Sequence, residues 1–379
     1  MLVMTVSAVL AVSSAKADPP ILTTEPASWL EQAYAVPRRG VDPVAAMGDI
    51  REQAGCCDAC DTCDSCEVCD DCCCPCECGC WFIQADGLLL QRSKPDRTKI
   101  VENGTGAPPR GQRTTVLTTD ALDTDHELGP RIIIGCRECA RDCELIYYGL
   151  NHWQSTATGT AGNPEVDVPF DSADFNINGV LRPISDFDGA QAVTAIASSE
   201  LHNFEVNTWF TDGRVIEPLF GFRYLNLDEE FDLRATDTGQ TSDYLIDADN
   251  HLVGFQTGAR YSSKWTSRFN FNVLAKAGAY INFADQHTLL RDDNNTVLIR
   301  DFHPEDEDLA FIGEIGLNCR YAICERVELT FGYLLVWVDG LALGAEQLDF
   351  TTTDQSGSLL NTDGDVFFDG GYAGLRVNF

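Results

Sequence analysis

The stretch GGYAGLRVNF, residues 370–379, alternates two kinds of side chain along its length. One face is small or apolar and consists of Gly371, Ala373, Leu375, Val377 and Phe379. The opposite face is small or polar and consists of Gly374, Arg376 and Asn378. Because successive side chains of a strand point to opposite sides of the sheet, this period of two predicts a β-strand with one apolar face.

The same alternation recurs upstream and predicts about ten strands in all. They cover residues 81–92, 131–138, 143–154, 200–211, 214–232, 250–262, 266–284, 307–321, 324–338 and 366–379. Most of these segments exceed the roughly five or six residues that are usual in soluble sheets. They approach the roughly 9–11 residues with which a tilted strand crosses a bilayer, so the pattern favours membrane-spanning strands.

The connections between these segments alternate in length. Short turns are predicted near residues 211–213, 262–264 and 321–324, and long polar links cover residues 94–130, 155–197, 234–249, 284–307 and 339–364. Short turns at one end and long loops at the other are typical of outer-membrane β-barrels. An aromatic girdle at the membrane surface is expected from Trp81, Trp153, Trp209, Trp265 and Trp337.

We therefore predict an all-β fold, an antiparallel transmembrane β-barrel of about 10–12 strands over residues 81–379. A soluble or surface-attached β-sandwich also has alternating strands and is the alternative at this point. If the apolar faces contact lipid, their alternating partners face the barrel interior. The charged residues expected there are Asp86, Arg92, Glu205, Glu217, Arg223, Arg260, Arg268, Lys276, Glu314, Arg320, Arg326, Glu328 and Arg376. Both signs occur, which predicts ion pairs across a narrow lumen with at most a thin water path.

The residues before the predicted barrel have a different composition. Residues 1–17 resemble a secretory signal peptide, and residues 18–54 are interpreted as a linker. Residues 55–80 form an acidic segment with twelve of the 17 cysteines. They are Cys56, Cys57, Cys60, Cys63, Cys66, Cys69, Cys72, Cys73, Cys74, Cys76, Cys78 and Cys80. Since this segment has too little apolar surface for a core of its own, we predict a disordered tail.

Two interpretations of the Cys-rich segment stay open. Its CxxC units are weak candidates for a soft-metal site, with Cys57, Cys60, Cys63, Cys66, Cys69 and Cys72 as ligands. Known zinc sites, however, separate their cysteine pairs by about a dozen residues or more, and these pairs follow one another directly. An exported protein with an odd number of cysteines is instead expected to form disulfides, including cross-links to other chains. Disulfides are also plausible near Cys136, Cys139 and Cys143, and near Cys319 and Cys324.

Several segments carry a resemblance to a known family. They are Trp81-Phe82 with Ala85–Leu90, Gly221–Tyr224, Gly332–Leu335 with Asp339–Ala342, and Gly371–Arg376. Together they resemble the putative β-barrel porin family of planctomycete bacteria, over roughly residues 81–379. The resemblance implies a barrel in the outer membrane and supplies no catalytic residue. Leu375, Val377 and Phe379 also resemble the C-terminal signal by which such barrels are delivered to the barrel assembly machinery.

Composition narrows the classes of function. The formal net charge of −33 argues against a nucleic-acid partner, since Lys and Arg supply affinity for phosphate. No cofactor is predicted, and no Walker, Rossmann or HExxH motif occurs. His202 near Ser198 and Ser199 is the one hydrolase candidate, and we predict that the protein is not an enzyme.

These observations predict an outer-membrane β-barrel, porin-like or structural. Its expected contacts are outer-membrane lipid and envelope proteins to which the Cys-rich periplasmic tail is cross-linked by disulfides. The alternative function is a soluble or surface-attached β-sandwich whose Cys-rich segment binds soft metal ions.

Overall fold

The structure is a computed structural model. It describes residues 80–104, 109–110, 112–138, 140–160, 165–211 and 215–379, all within the compact unit Cys63–Phe379. The predicted signal peptide, the linker and the Cys-rich segment up to residue 79 lie outside the described residues, as does the Cys80 side chain. Among the described residues, no helix is long and apolar enough to cross a membrane.

The described chain is built almost wholly from strands. They are β1 (Cys80–Arg92), β2 (Lys99–Asn103), β3 (Thr115–Thr118), β4 (Glu127–Arg137), β5 (Arg141–Thr160), β6 (Val166–Asp167), β7 (Asp174–Ile177), β8 (Val180–Pro183), β9 (Asp188–Ala190), β10 (Ala192–Phe210), β11 (Ile216–Asp237), β12 (Gln240–Lys264), β13 (Phe269–Asp292), β14 (Val297–Phe302), β15 (Glu305–Ala322), β16 (Val327–Leu341) and β17 (Gly364–Asn378). Within the described residues, three short 3₁₀ helices cover Thr119–Ala121, Ser185–Phe187 and Gly344–Gln347.

Ten of these strands close into a barrel. Their order is β12-β11-β10-β5-β4-β1-β17-β16-β15-β13, every neighbouring pair is antiparallel, and β12 also pairs with β13. The last pairing leaves no free sheet edge between the ten strands. The predicted barrel is confirmed, and the β-sandwich alternative is wrong because the apolar faces do not pack against a second sheet.

The strands extend beyond the segments that alternation marked. β11, β12 and β13 contain 22, 25 and 24 residues. The predicted long link at 234–249 is wrong, because β11 and β12 continue through it as a paired hairpin. Thr238 and Gly239 form its turn with φ of 43° and 90°, the left-handed geometry that two-residue hairpin turns require.

A belt of exposed apolar side chains surrounds the barrel, and each of the ten strands contributes at least one residue to it. Its members include Ile83 and Leu89 on β1, Ile132 and Ile134 on β4, Leu145 on β5, Phe204 and Val206 on β10, Phe220 on β11, Phe255 on β12, Ile281 and Phe283 on β13, Leu309, Phe311 and Ile315 on β15, Leu329 and Phe331 on β16, and Phe367 and Leu375 on β17. A continuous apolar surface of this size is unfavourable in water. It is the outer surface that a transmembrane barrel presents to lipid.

The two ends of the barrel differ. The short-turn end is where β4 is followed by β5, β10 by β11, β12 by β13 and β15 by β16, together with the start of β1 and the end of β17. The long-loop end carries the other connections, which pack over an apolar core that includes Phe170, Phe187 and Tyr244. The described parts of the long loops thus share one apolar core with the extended ends of β10, β11, β12 and β13.

Candidate functional site

The barrel interior is the candidate functional site, because transport through a barrel depends on what fills its lumen. Along each strand, every second side chain points inward. The inward side chains form successive layers between the short-turn end and the long-loop end. We name them the rim layer, the charge layer, the apolar layer and the mouth.

The rim layer lies at the short-turn end and is only partly buried. Arg260 is its central cation, with nitrogens 2.6 Å from Glu217, 3.2 Å from Asp142 and 3.7 Å from Glu144. Its guanidinium also lies 4.3 Å from the centre of the Trp209 ring, in cation–π geometry. On the opposite wall, Glu328 lies 3.8 Å from both Arg320 and Arg376.

The charge layer contains four fully buried charges that balance one another. Lys276 Nζ lies 2.9 Å from a carboxylate oxygen of Glu205 and 2.6 Å from one of Glu314. Arg223 donates to Glu314 at 2.9 Å and lies 3.6 Å from Glu205. Two acids therefore face two bases where each side chain is at most 4% exposed, and an unpaired charge there would be costly.

Neutral side chains complete the hydrogen bonds of the charge layer. Glu205 accepts from Asn203 at 3.1 Å, from Asn207 at 2.8 Å and from Gln256 at 2.8 Å. A second buried pair joins Arg131 to Asp86 at 2.8 Å. Because each carboxylate has several donors, the layer is a rigid polar network in a low-dielectric interior.

Glycines make room for this network. A Cβ atom at Gly221 would lie 2.0 Å from Asn207 Oδ1, and one at Gly332 would overlap the Tyr372 hydroxyl. Both glycines occupy inward positions of their strands, where the side chain of the directly paired residue on the neighbouring strand crosses them. Each glycine thus lies beside a large polar side chain of the neighbouring strand, which occupies the space that a Cβ atom would need.

The apolar layer lies between the charge layer and the long-loop end. Its members come from most of the barrel strands and are Leu88, Leu90, Trp153, Leu201, Leu225, Leu252, Ile312, Leu334, Val336, Val338 and Phe368. Each is at most 3% exposed to water. A water-filled passage at this level would expose some of these side chains, so the layer closes the described part of the lumen.

The mouth lies beyond the apolar layer and is capped by the β16–β17 connection. Asn250 donates to Ala342 O at 2.8 Å and accepts from Ala342 N at 2.7 Å. Asn282 donates to Gly340 O at 2.9 Å. Arg92 and Glu229 form a buried ion pair beside them. These bonds hold the connection's backbone inside the barrel, and the lumen is closed there as well.

A small cavity occupies the interior on the other side of the apolar layer. Its volume is about 70 Å³, and its lining includes Phe82, Glu144, Lys276, Arg320 and Arg376. It therefore reaches from the rim layer to the charge layer. A volume of this size holds only a few water molecules.

The structure places the predicted interior charges in three groups. Asp86, Arg92, Glu205, Arg223, Lys276, Glu314 and Arg376 are buried inside the barrel. Glu217, Arg260, Arg320 and Glu328 lie half-buried in the rim layer. Arg268 and Arg326 do not lie in the interior: both are exposed residues of short turns, because β13 and β16 begin only at Phe269 and Val327.

The predicted aromatic girdle is partly wrong. Trp81 and Trp265 are exposed at the short-turn end, and Trp337 is exposed on the outer face. Trp153 and Trp209 instead point into the barrel, where each indole N–H has a partner: Leu90 O at 3.2 Å for the first and Glu144 at 2.8 Å for the second. A position near a strand end does not indicate whether the side chain points into the barrel or away from it, which is why the two residues were assigned to the girdle.

The remaining predicted residues lie at the short-turn end, in the middle of β10, or outside the described residues. Leu375 and Phe379 are exposed on the outer face, and the Phe379 N–H donates to Trp81 O at 2.8 Å. The described cysteines Cys136, Cys143, Cys319 and Cys324 carry free thiols. His202 binds the Tyr147 hydroxyl and Glu200, both at 3.1 Å, and Ser199 is buried in the barrel.

Comparison with known proteins places the chain in a family. Among solved structures, the outer membrane protease OmpT from Escherichia coli shares 10% identity over 79% of this chain and 97% of its own, with a TM-score of 0.43. The translocator domain of autotransporter NalP from Neisseria meningitidis shares 7% identity over 80% of this chain and 89% of its own, with a TM-score of 0.38. The profile of the family "Putative beta barrel porin-7 (BBP7)" matches residues 96–362. Because the match covers well over half of the chain, the protein belongs to this β-barrel porin family.

Proposed function

We propose that the protein is a closed outer-membrane barrel that anchors its Cys-rich N-terminal segment in the cell envelope. The observation that carries this proposal is the apolar layer, whose members are at most 3% exposed. An open porin keeps a polar, hydrated constriction. This chain instead fills the same level with leucine, valine, phenylalanine and tryptophan side chains. Its role in this proposal is therefore to anchor the Cys-rich segment at the membrane and not to transport solutes.

The second part of the proposal concerns the short-turn end. β1 begins at Cys80, so the Cys-rich segment joins the barrel at this end. The four described thiols lie at the same end, and Cys136 and Cys143 are direct partners across the β4–β5 pair. This arrangement supports a periplasmic placement of the short-turn end, where an oxidising environment allows disulfides. There the Cys-rich segment cross-links the barrel to other envelope proteins.

Conductance tests the closed barrel. The purified full chain, inserted into a planar lipid bilayer, is expected to give no stable open-pore current at moderate voltage. A matched barrel variant with Leu201→Ser, Leu252→Ser and Leu334→Ser replaces part of the apolar layer by hydroxyls and is expected to admit water and a small current. A large and steady current from the unaltered chain would refute the closed barrel.

Gel electrophoresis tests the cross-link. Envelopes are treated with an alkylating agent at lysis and run with and without reductant. We expect high-molecular-weight species that reductant converts to the monomer. A variant with serine at the twelve cysteines of residues 55–80 is expected to lose them, while Cys136→Ser with Cys143→Ser is expected to keep them. Unaltered chain that runs as a monomer without reductant would refute the tether and leave the conductance result untouched.

A further inference from the structure

Two histidines and an aspartate meet on the outer face of the barrel wall, above the apolar belt. His287 lies on β13, Asp301 on β14 and His303 in the link between β14 and β15. One ligand atom from each lies within 4.8 Å of the other two. None of the three is part of the interior layers described above, and barrel closure does not require them.

The distances fit the coordination of a metal ion. His287 Nε2 lies 3.2 Å from Asp301 Oδ1, and His303 Nε2 lies 3.3 Å from the same oxygen. Tetrahedral zinc with ligands at about 2.0–2.1 Å has neighbouring ligand atoms roughly 3.3 Å apart. The two imidazole rings are stacked with centroids 4.1 Å apart and an interplanar angle of 15°, so both Nε2 atoms approach the carboxylate from the same side.

The second nitrogen of His287 also has a carboxylate neighbour. Its Nδ1 lies 3.8 Å from Asp247 Oδ2, and Asp247 is the direct strand partner of His287 across the β12–β13 pair. In metal sites, a ligating histidine commonly directs its other N–H to a carboxylate, which fixes the ring and leaves one nitrogen for the ion. Asp247 is the strand partner that can take this role, and at 3.8 Å its side chain has to rotate closer to accept the N–H.

Strand pairing holds the three ligands in place. Asp301 pairs with Leu289, two residues from His287 along β13. The carbonyl of Pro304, which follows His303, accepts from Gln286 N at 3.0 Å. The backbone on both sides of the cluster is therefore hydrogen-bonded, and only side-chain rotation separates the present contacts from a bound geometry. The side chains of His287, Asp301 and His303 are 33%, 46% and 66% exposed, so an ion reaches them directly from solvent.

We propose that His287, Asp301 and His303 form a binding site for a divalent transition metal of the Zn²⁺ class, with Asp247 positioning His287. Two imidazoles and one carboxylate select such ions over Ca²⁺ and Mg²⁺, which prefer oxygen ligands alone. Water completes the coordination sphere, since three protein ligands leave a position open. The bound ion joins β13 to β14 and the β14–β15 link, so it stabilises this part of the long-loop end.

Calorimetric titration with Zn²⁺ tests the site. The full-length chain is reduced, its thiols are blocked by alkylation so that the Cys-rich segment contributes no ligands, and it is stripped with chelator in detergent. We expect one Zn²⁺ per chain at micromolar concentration at pH 7.5, and loss of binding at pH 5, because protons compete for the imidazoles. Asp247→Asn is expected to weaken binding by about 10-fold.

Matched variants decide the outcome. His287→Ala with His303→Ala is expected to abolish binding of the single Zn²⁺. His126→Ala removes an exposed histidine elsewhere at the long-loop end and is expected to bind Zn²⁺ as the unaltered chain does. Unchanged heat-modifiable migration shows that the double variant still forms its barrel. Limited proteolysis within residues 293–304 is expected to slow in the presence of Zn²⁺. If the unaltered chain takes up no Zn²⁺, or the double variant takes up as much, the site does not exist.

Discussion

Removing the positive charge of Lys276 tests the electrostatic account of the interior. The charge layer is neutral because Lys276 and Arg223 balance Glu205 and Glu314, and all four side chains are at most 4% exposed. Lys276→Met keeps most of the side-chain volume but leaves two carboxylates against one guanidinium. Breaking a buried ion pair on one side typically costs about 3–5 kcal/mol, so we expect the free energy of unfolding to fall by about that amount.

A second variant separates charge from packing. Lys276→Met with Glu314→Gln leaves Glu205 and Arg223, which lie 3.6 Å apart and again balance. The double variant is expected to be more stable than Lys276→Met alone, with a coupling energy of about 0.5–3 kcal/mol. Lys264→Met, at an exposed position near the short-turn end, is expected to stay within about 0.5 kcal/mol of the unaltered chain.

Urea unfolding in lipid vesicles, followed by tryptophan fluorescence, measures these free energies. The reasoning is refuted if Lys276→Met unfolds at the same urea concentration as the unaltered chain. It is equally refuted if the loss in the double variant equals the loss of Lys276→Met plus that of Glu314→Gln made alone, because the four charges would then not act as one balanced group.

Three further predictions address the belt, the apolar layer and the long-loop end. Phe255→Arg, at mid-height on the outer face, is expected to cost about 2–4 kcal/mol in vesicles, while Leu359→Arg in a loop is expected to cost almost nothing in the same urea assay. Trp153→Ala with Phe368→Ala removes two rings whose centroids lie 5.3 Å apart, and each substitution is expected to cost about 3–5 kcal/mol by leaving a cavity. Burial and three neighbouring carboxylates raise the pKa of Glu346 to about 7, so stability is lost as the pH rises from about 4.5 through 7. Glu346→Gln is therefore expected to be more stable than the unaltered chain at pH 8, by about 1 kcal/mol after allowance for its partial exposure, and equal at pH 4, which urea titrations at the two pH values measure.

Alternation was sufficient to predict the barrel strands, because lipid and interior impose opposite demands on neighbouring side chains. β16 shows both the strength and the limit of this signal. Leu329, Phe331 and Tyr333 face outward and alternate with Glu328 and Thr330, which face inward. Where the inward residues become apolar, the rhythm disappears from the sequence although the strand continues. The apolar layer is indicated in the sequence by GYLLVWV, residues 332–338, where inward and outward residues no longer differ in polarity.

Strand ends were predicted less well for a related reason. Beyond the belt, the alternation of β11 and β12 inverts: the outer face is polar, and the inner face is apolar, with Phe231 and Tyr244 buried in the core under the long loops, so the acidic residues resemble a loop. Asp247 and Asp249 are examples: both lie within β12, on its outer face, opposite His287 and Asp285 of β13. Hydrogen bonding between strands holds this region together, and composition alone does not report it.

In the closed barrel that we propose, the charge layer and the apolar layer act together against ion passage. An ion that entered from the rim layer would meet four charges already bound to one another, so it would gain little attraction and would have to disrupt their hydrogen bonds. Beyond them it would meet side chains such as Leu225 and Leu334, which are at most 3% exposed and offer no oxygen to replace its water. Losing hydration without replacement costs an ion many kcal/mol. Interior charge in a barrel of this width therefore indicates a packed polar core, and only an unpaired charge beside a hydrated gap would indicate a route for solutes.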